Sequence, residues 1–122
     1  MSSVLYVEDN EYNRKIVRQL LSRTRHRLRE AADGEAALDM VREERPDLIL
    51  MDVQLPKMSG LDVTRALRAD PATADVPIIV VTSFALSGDD QRAMAAGASA
   101  YIAKPYSPRE LMALIQKFLA EP

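Results

Sequence analysis

The chain has no cysteine, no tryptophan, two phenylalanines, one histidine and four glycines in 122 residues. Without cysteine there is no disulfide, no thiolate nucleophile and no thiolate metal site, which fits a reducing compartment. With so few large aromatics the core must be aliphatic. There is no zinc-ligand spacing, no aromatic RNA-binding stripe and no strongly basic total, since the net charge is −2; no nucleic-acid partner is expected. No apolar run is long enough to span a bilayer, and Glu8 and Asp9 arrive before a signal-peptide hydrophobic region could form. A cytoplasmic protein without a membrane partner is therefore expected. Internal repeats, low-complexity tracts and Gly/Ser linkers are also missing.

What is present is ordinary for one globular domain, expected over residues 1–122: 48% hydrophobic and 28% charged residues. Charge is uneven, because seven of the sixteen Lys and Arg fall between Arg14 and Arg29. This stretch reads as a solvated helix face and loop, with a docking face for an acidic partner or for nucleic acid as the alternative.

Short β-branched runs alternate with longer helical patterns. Val4 to Val7, Leu28 to Ala31, the apolar run Leu48 to Met51, Ile78 to Val81 and Ser99 to Ala103 read as strands. Glu11 to Arg23 reads as a helix with Ile16, Val17, Leu20 and Leu21 on its apolar face. Gly34 to Glu44, Gly60 to Arg68 and Ser87 to Ala96 follow, the last stopped by Gly97. Ser107 caps a final helix, with Pro108 in its first turn and Glu110 at the third position. Five strands alternating with five helices predict an α/β fold, a parallel sheet covered on both faces. Chemistry then belongs at the carboxyl ends of the strands.

Those ends carry Glu8-Asp9, Asp52, Thr82-Ser83 and Lys104-Pro105. Each motif alone is commonplace in a loop or turn. Together they bring three carboxylates, hydroxyls and one ammonium to a single sheet edge. Crowded carboxylates stay ionised only beside positive charge. Mg²⁺ suits hard oxygen ligands and binds through few carboxylates plus phosphate. The set is an arrangement for phosphoryl transfer to a carboxylate, where positioning and charge neutralisation do most of the catalysis.

The motifs Val7-Glu8-Asp9-Asn10, Asp47 to Asp52, Leu55-Pro56 with Ser59-Gly60, Val80 to Ser83, Ala95 to Ala98 and Tyr101 to Pro105 resemble those of the receiver domains of two-component response regulators. The resemblance covers nearly the whole chain. It implies a flavodoxin-like (βα)5 fold with strand order 2-1-3-4-5. It further implies that Asp52 is the phosphoacceptor, Asp9 a direct Mg²⁺ ligand, Glu8 a ligand acting through water and the Gln54 backbone carbonyl a further ligand. Thr82 would be the switch hydroxyl, Lys104 the phosphate-pairing lysine and Tyr101 the aromatic switch; the Lys104-Pro105 bond is expected to be cis. Asn10, Asn13-Arg14, Val53 to Pro56 and Phe84 are similar to receivers of hybrid kinases and of DivK-type single-domain cell-division regulators. Glu8 stands where Asp is frequent, and Ser83 where Ala is usual.

The function so implied is a stand-alone phosphoacceptor signalling module, not an enzyme acting on other substrates. Its expected partners are a histidine kinase or histidine phosphotransfer protein, docked on the first helix through Arg14 and Arg18, and a downstream protein effector. It is expected to be a monomer when unphosphorylated. A receiver fragment of a longer hybrid kinase or regulator is an alternative. A haloacid dehalogenase-type phosphohydrolase is another, but it needs an acid two residues after the nucleophile, where this chain has Gln54. A degenerate scaffold receiver would lack one of the site residues, and none is missing. Gln54, Ser83 and Phe84 flank the path of hydrolytic water; Phe84 is expected to obstruct it and prolong the phosphorylated state. His26 reads as a surface residue, and Met40, Met51, Met94 and Met112 as core filler.

Overall fold

The computed structural model describes residues 2–82 and 89–119. Five strands, β1 (Ser3–Val7), β2 (Arg27–Ala31), β3 (Leu48–Asp52), β4 (Ile78–Thr82) and β5 (Ala100–Ala103), alternate with five helices, α1 (Glu11–Leu21), α2 (Gly34–Glu43), α3 (Gly60–Ala69), α4 (Asp89–Ala96) and α5 (Pro108–Phe118). All strand pairs are parallel, in the order β2-β1-β3-β4-β5. This is the flavodoxin-like arrangement.

Strand alternation divides the core in two. Leu5, Val7, Ile49, Met51, Ile78 and Val80 face one layer, with Ala37, Val41, Val63, Leu67 and Ala93 of α2, α3 and α4. Val4, Tyr6, Leu48, Leu50, Ile79 and Val81 face the other, with Val17, Leu21, Leu111 and Ile115 of α1 and α5. Each fully buried Leu or Ile contributes about 1.5–3 kcal/mol of transfer free energy, so β1, β3 and β4, buried along their whole lengths, form a stiff base for their carboxyl ends.

Helix starts are chemically specified. The Asn10, Asp33 and Ser59 side chains accept from amides in the first turns of α1, α2 and α3. At α5, Ser107 and Glu110 close a reciprocal capping box with Pro108 behind the cap. Gly97 follows α4 at φ +109°, a conformation in which glycine carries no Cβ penalty. Among the described residues no helix is long and apolar enough to cross a membrane.

Some surface expectations are corrected. His26 is 7% exposed, not a surface residue, and its Nε2 has no hydrogen-bond partner among the described residues. His26 immediately precedes β2, and its amide donates to Thr24 Oγ1 at 3.1 Å in the turn after α1. Ile16 is 40% exposed, because α1 turns Val17 and Leu21 to the sheet and leaves Ile16 on its flank. Met94 is 50% exposed, since α4 buries the small side chains Ala93 and Ala96 instead. The basic stretch is largely solvated, as expected, with Lys15, Arg18, Arg23, Arg25 and Arg27 exposed, but several of its arginines are held in surface ion pairs. Arg14 and Arg18 engage Glu11 and Glu30, and Arg27 engages Glu44. Arg29 caps the end of α2 through the Met40 and Glu44 carbonyls.

Candidate functional site

The period of two that sorts the core also builds the site. Glu8 continues the side of β1 that carries Val4 and Tyr6. Asp52 continues the side of β3 that carries Leu48 and Leu50, and Lys104 follows the side of Ile102 in β5. The parallel register brings these ends to one edge, where the Lys104 amide donates to the Thr82 carbonyl at 2.7 Å and the Val53 amide to the Val81 carbonyl at 3.1 Å. The Lys104–Pro105 peptide bond is cis.

The Lys104 Nζ lies 2.9 Å from Glu8 Oε1 and 3.2 Å from Asp52 Oδ2. Glu8 and Asp52 are buried, 1% and 3% exposed, whereas Asp9 is exposed. Oxygens of these three carboxylates all lie within 4.8 Å of one another, the one such cluster among the described residues. The sequence-predicted residues Glu8, Asp9, Asp52 and Lys104 are thus gathered in one place. Thr82 is buried at the neighbouring strand end. The Gln54 amide donates to Asp52 Oδ1 at 3.1 Å while its side chain is exposed. Tyr101 lies apart from the acids on the outer face of β5, 42% exposed. Ser83 and Phe84 lie outside the described residues.

Burial and then the neighbouring Glu8 push the Asp52 carboxyl up from 3.8 to about 7. Burial also pushes Glu8 upward, but hydrogen bonds with Asp52 and Lys104, together with the lysine charge, reverse this and hold it below the usual carboxylate range. Below about pH 7, proton and charge therefore divide unequally over the pair, the proton on Asp52 and the charge on Glu8. Burial lowers Lys104, yet the two acids more than compensate and hold it above the ordinary lysine value. The pocket thus carries more negative charge than one ammonium offsets, and its donors are hard oxygens. Both features fit a divalent cation such as Mg²⁺.

A close backbone approach also shapes the site. The Gly60 amide donates to the Val53 carbonyl at 2.9 Å, and a Cβ on Gly60 would collide with the carbonyl group of Asp52. Lys57, in the same loop, adopts φ 68°.

Tyr6 and Tyr106 escaped the sequence reading, and Asn10, Asn13 and Arg14, named there for resemblance and docking, were not assigned to the site. The Tyr6 hydroxyl donates to Glu8 Oε1 at 3.2 Å, as does Asn13 Nδ2 at 3.2 Å. The Asn10 amide reaches Glu8 Oε2 at 3.4 Å and Arg14 Nη1 the Glu8 carbonyl at 2.9 Å. Tyr106 is half-buried and interacts electrostatically with Tyr6 and the acids. The spacing of two between Tyr6 and Glu8 was a usable signal for Tyr6; nothing in the sequence marked Tyr106.

Comparison with known proteins agrees with this geometry. Residues 4–116 match the response regulator receiver domain family. The polar-differentiation response regulator DivK of Brucella anthropi is 44% identical over 119 residues, covering 98% of this chain and 97% of the relative. Among solved structures, the receiver domain of the sensor histidine kinase PA1611 from Pseudomonas aeruginosa superposes with a TM-score of 0.88 at 37% identity, covering 96% of each chain; it has a magnesium ion coordinated in its active-site cleft. The chemotaxis response regulator CheY4 of Vibrio cholerae superposes with a TM-score of 0.91 at 31% identity, over 98% of this chain and 99% of the other. Receiver domains are phosphoacceptor signalling modules that bind Mg²⁺ at an acidic site, and this chain, by its matched span, strand order and acid cluster, belongs to the response regulator receiver family.

Proposed function

We propose that residues 1–122 act as one receiver that accepts a phosphoryl group on Asp52 from a phosphohistidine of a histidine kinase or histidine phosphotransfer protein. It then signals through altered protein contacts or onward phosphotransfer. One observation carries the reading: Asp52, 3% exposed at the end of β3, faces Lys104 Nζ at 3.2 Å inside the cluster of Glu8 and Asp9.

Asp9 and Asp52 are the proposed direct ligands of Mg²⁺, with the Gln54 carbonyl, and Glu8 acts through water. When bound, Mg²⁺ supplies charge neutralisation for the transferring oxygens. An Asp52 carboxylate oxygen forms the new P–O bond as the P–N bond to the donor imidazole breaks. The electron pair of that bond leaves with the nitrogen, which takes a proton from water. Lys104 pairs with one phosphoryl oxygen, and the Thr82 hydroxyl donates to another. Tyr101 turns inward in the phosphorylated state and changes the surface of α4, β5 and α5. The chain catalyses only its own phosphorylation and dephosphorylation.

The donor protein docks beside the acids. A groove of about 340 Å³ lined by Asn13, Ile16, Lys104, Pro105 and Tyr106 opens between α1 and the loop after β5. This apolar strip suits a helix-bundle donor better than Arg14 and Arg18, which are already paired with Glu11 and Glu30. The unphosphorylated chain is a cytoplasmic monomer in this reading. Incubation with acetyl phosphate and Mg²⁺, followed by intact mass measurement, tests it. The parent should gain one phosphoryl increment and Asp52→Asn none; an increment on the variant would refute Asp52 as sole acceptor.

A further inference from the structure

We propose that Tyr6 is a positioning residue, holding the Glu8 carboxylate from inside the sheet so that Lys104 can leave it for a phosphoryl oxygen. The proposal rests on the phosphoacceptor reading above. Tyr6 is 0% exposed and lies within the apolar layer of Val17, Leu21, Leu50 and Ile115. A phenol in such a layer needs a partner for its hydroxyl, and the partner is Glu8 Oε1 at 3.2 Å.

Oε1 collects two further donors, Asn13 Nδ2 at 3.2 Å and Lys104 Nζ at 2.9 Å. Glu8 is 1% exposed, so bulk water cannot replace a donor that departs. Lys104 is shared, because it also lies 3.2 Å from Asp52 Oδ2. If it turns toward a phosphoryl oxygen, Glu8 Oε1 keeps two neutral donors, Tyr6 and Asn13, while the Asn10 amide serves only Oε2. Without the Tyr6 hydroxyl Oε1 keeps one, and the departure of Lys104 then leaves a buried carboxylate oxygen under-satisfied. The length of Glu8 matters here. An acid one methylene shorter would draw its carboxylate back from the phenol, so tyrosine at this strand position and glutamate two residues later form a matched pair.

Tyr6→Phe keeps the ring and the apolar packing and removes only the donor. Two readouts separate positioning from a merely structural role: the Mg²⁺ dissociation constant by NMR titration, and the rate of phosphorylation by acetyl phosphate. Urea unfolding checks the fold of each variant. Tyr6→Phe should slow phosphorylation about tenfold, the scale of one lost hydrogen bond to a charged group, and weaken Mg²⁺ binding less, about threefold. In a Glu8→Asp background the same substitution should change neither, since the coupling runs through the longer acid. Unchanged binding and rate in Tyr6→Phe, with or without a shift in the unfolding midpoint, would overturn the proposal. So would equal losses in the Glu8→Asp background. A parent that takes no phosphate at all would instead refute the function proposed above, and the Mg²⁺ cycle would still read the Tyr6–Glu8 coupling.

Discussion

Asp52→Asn should stabilise the metal-free protein at alkaline pH while removing its phosphoacceptor. Without metal the Asp52 carboxyl is pushed from 3.8 up to about 7 by burial and by Glu8. Because the folded value lies above the unfolded one, the folded state binds the extra proton. The resulting stabilisation is complete below the unfolded value and is lost as pH rises through 7. A difference of about three pH units corresponds to about 4 kcal/mol at ~1.36 kcal/mol per unit. Glu8 shifts in the opposite direction, so only part of this, on the order of 2 kcal/mol, falls to the substitution. Asparagine keeps the shape and an acceptor for the Gln54 amide, which now reaches Asp52 Oδ1 at 3.1 Å. Thermal unfolding in EDTA at about pH 8 should therefore give the variant a Tm higher by roughly 6–10 °C. At about pH 5 the gain should shrink to under half, as the parent regains its proton. Added Mg²⁺ should stabilise the parent more than the variant. A variant no more stable than the parent at pH 8, or a gain independent of pH, would refute the electrostatic account.

Asp9→Ala should weaken Mg²⁺ binding more than alanine at any other acid of the site, by about tenfold or more, as followed by NMR titration; parent-like binding would refute its role as a direct ligand. Ile16→Asp should slow phosphotransfer from a protein donor about tenfold and leave phosphorylation by acetyl phosphate unchanged, because Ile16 lies in the groove and not among the acids. Arg18→Glu should change the donor rate less, since Arg18 already bonds Glu30 at 2.7 Å and Glu11 at 3.1 Å. Gly60→Ala should lower stability by about 2 kcal/mol or more in urea unfolding, because the new methyl meets the Asp52 carbonyl group directly; stability within ~0.5 kcal/mol of the parent would show that the β3–α3 turn yields.

The sequence by itself determined the element order, the helix caps and the strand ends that carry Glu8, Asp9, Asp52, Thr82 and Lys104. These are local properties. A period of two or 3.6, a Ser-Pro start and a glycine stop act within one segment and need no knowledge of the rest. The tertiary structure decided what depends on distance between segments. Tyr6 read as one more buried strand residue until its hydroxyl met Glu8. His26 read as surface, yet at the entry to β2 it is 7% exposed. Arg68 carried no signal in the sequence, yet it ties α3 to the rest by donating to the carbonyls of Gly97 at 2.7 Å and Val76 at 2.6 Å. The Asp52 value of about 7 is of the same kind. It comes from burial beside a carboxylate 44 positions earlier in the chain, and desolvation and Coulomb interaction act through space, not along the sequence.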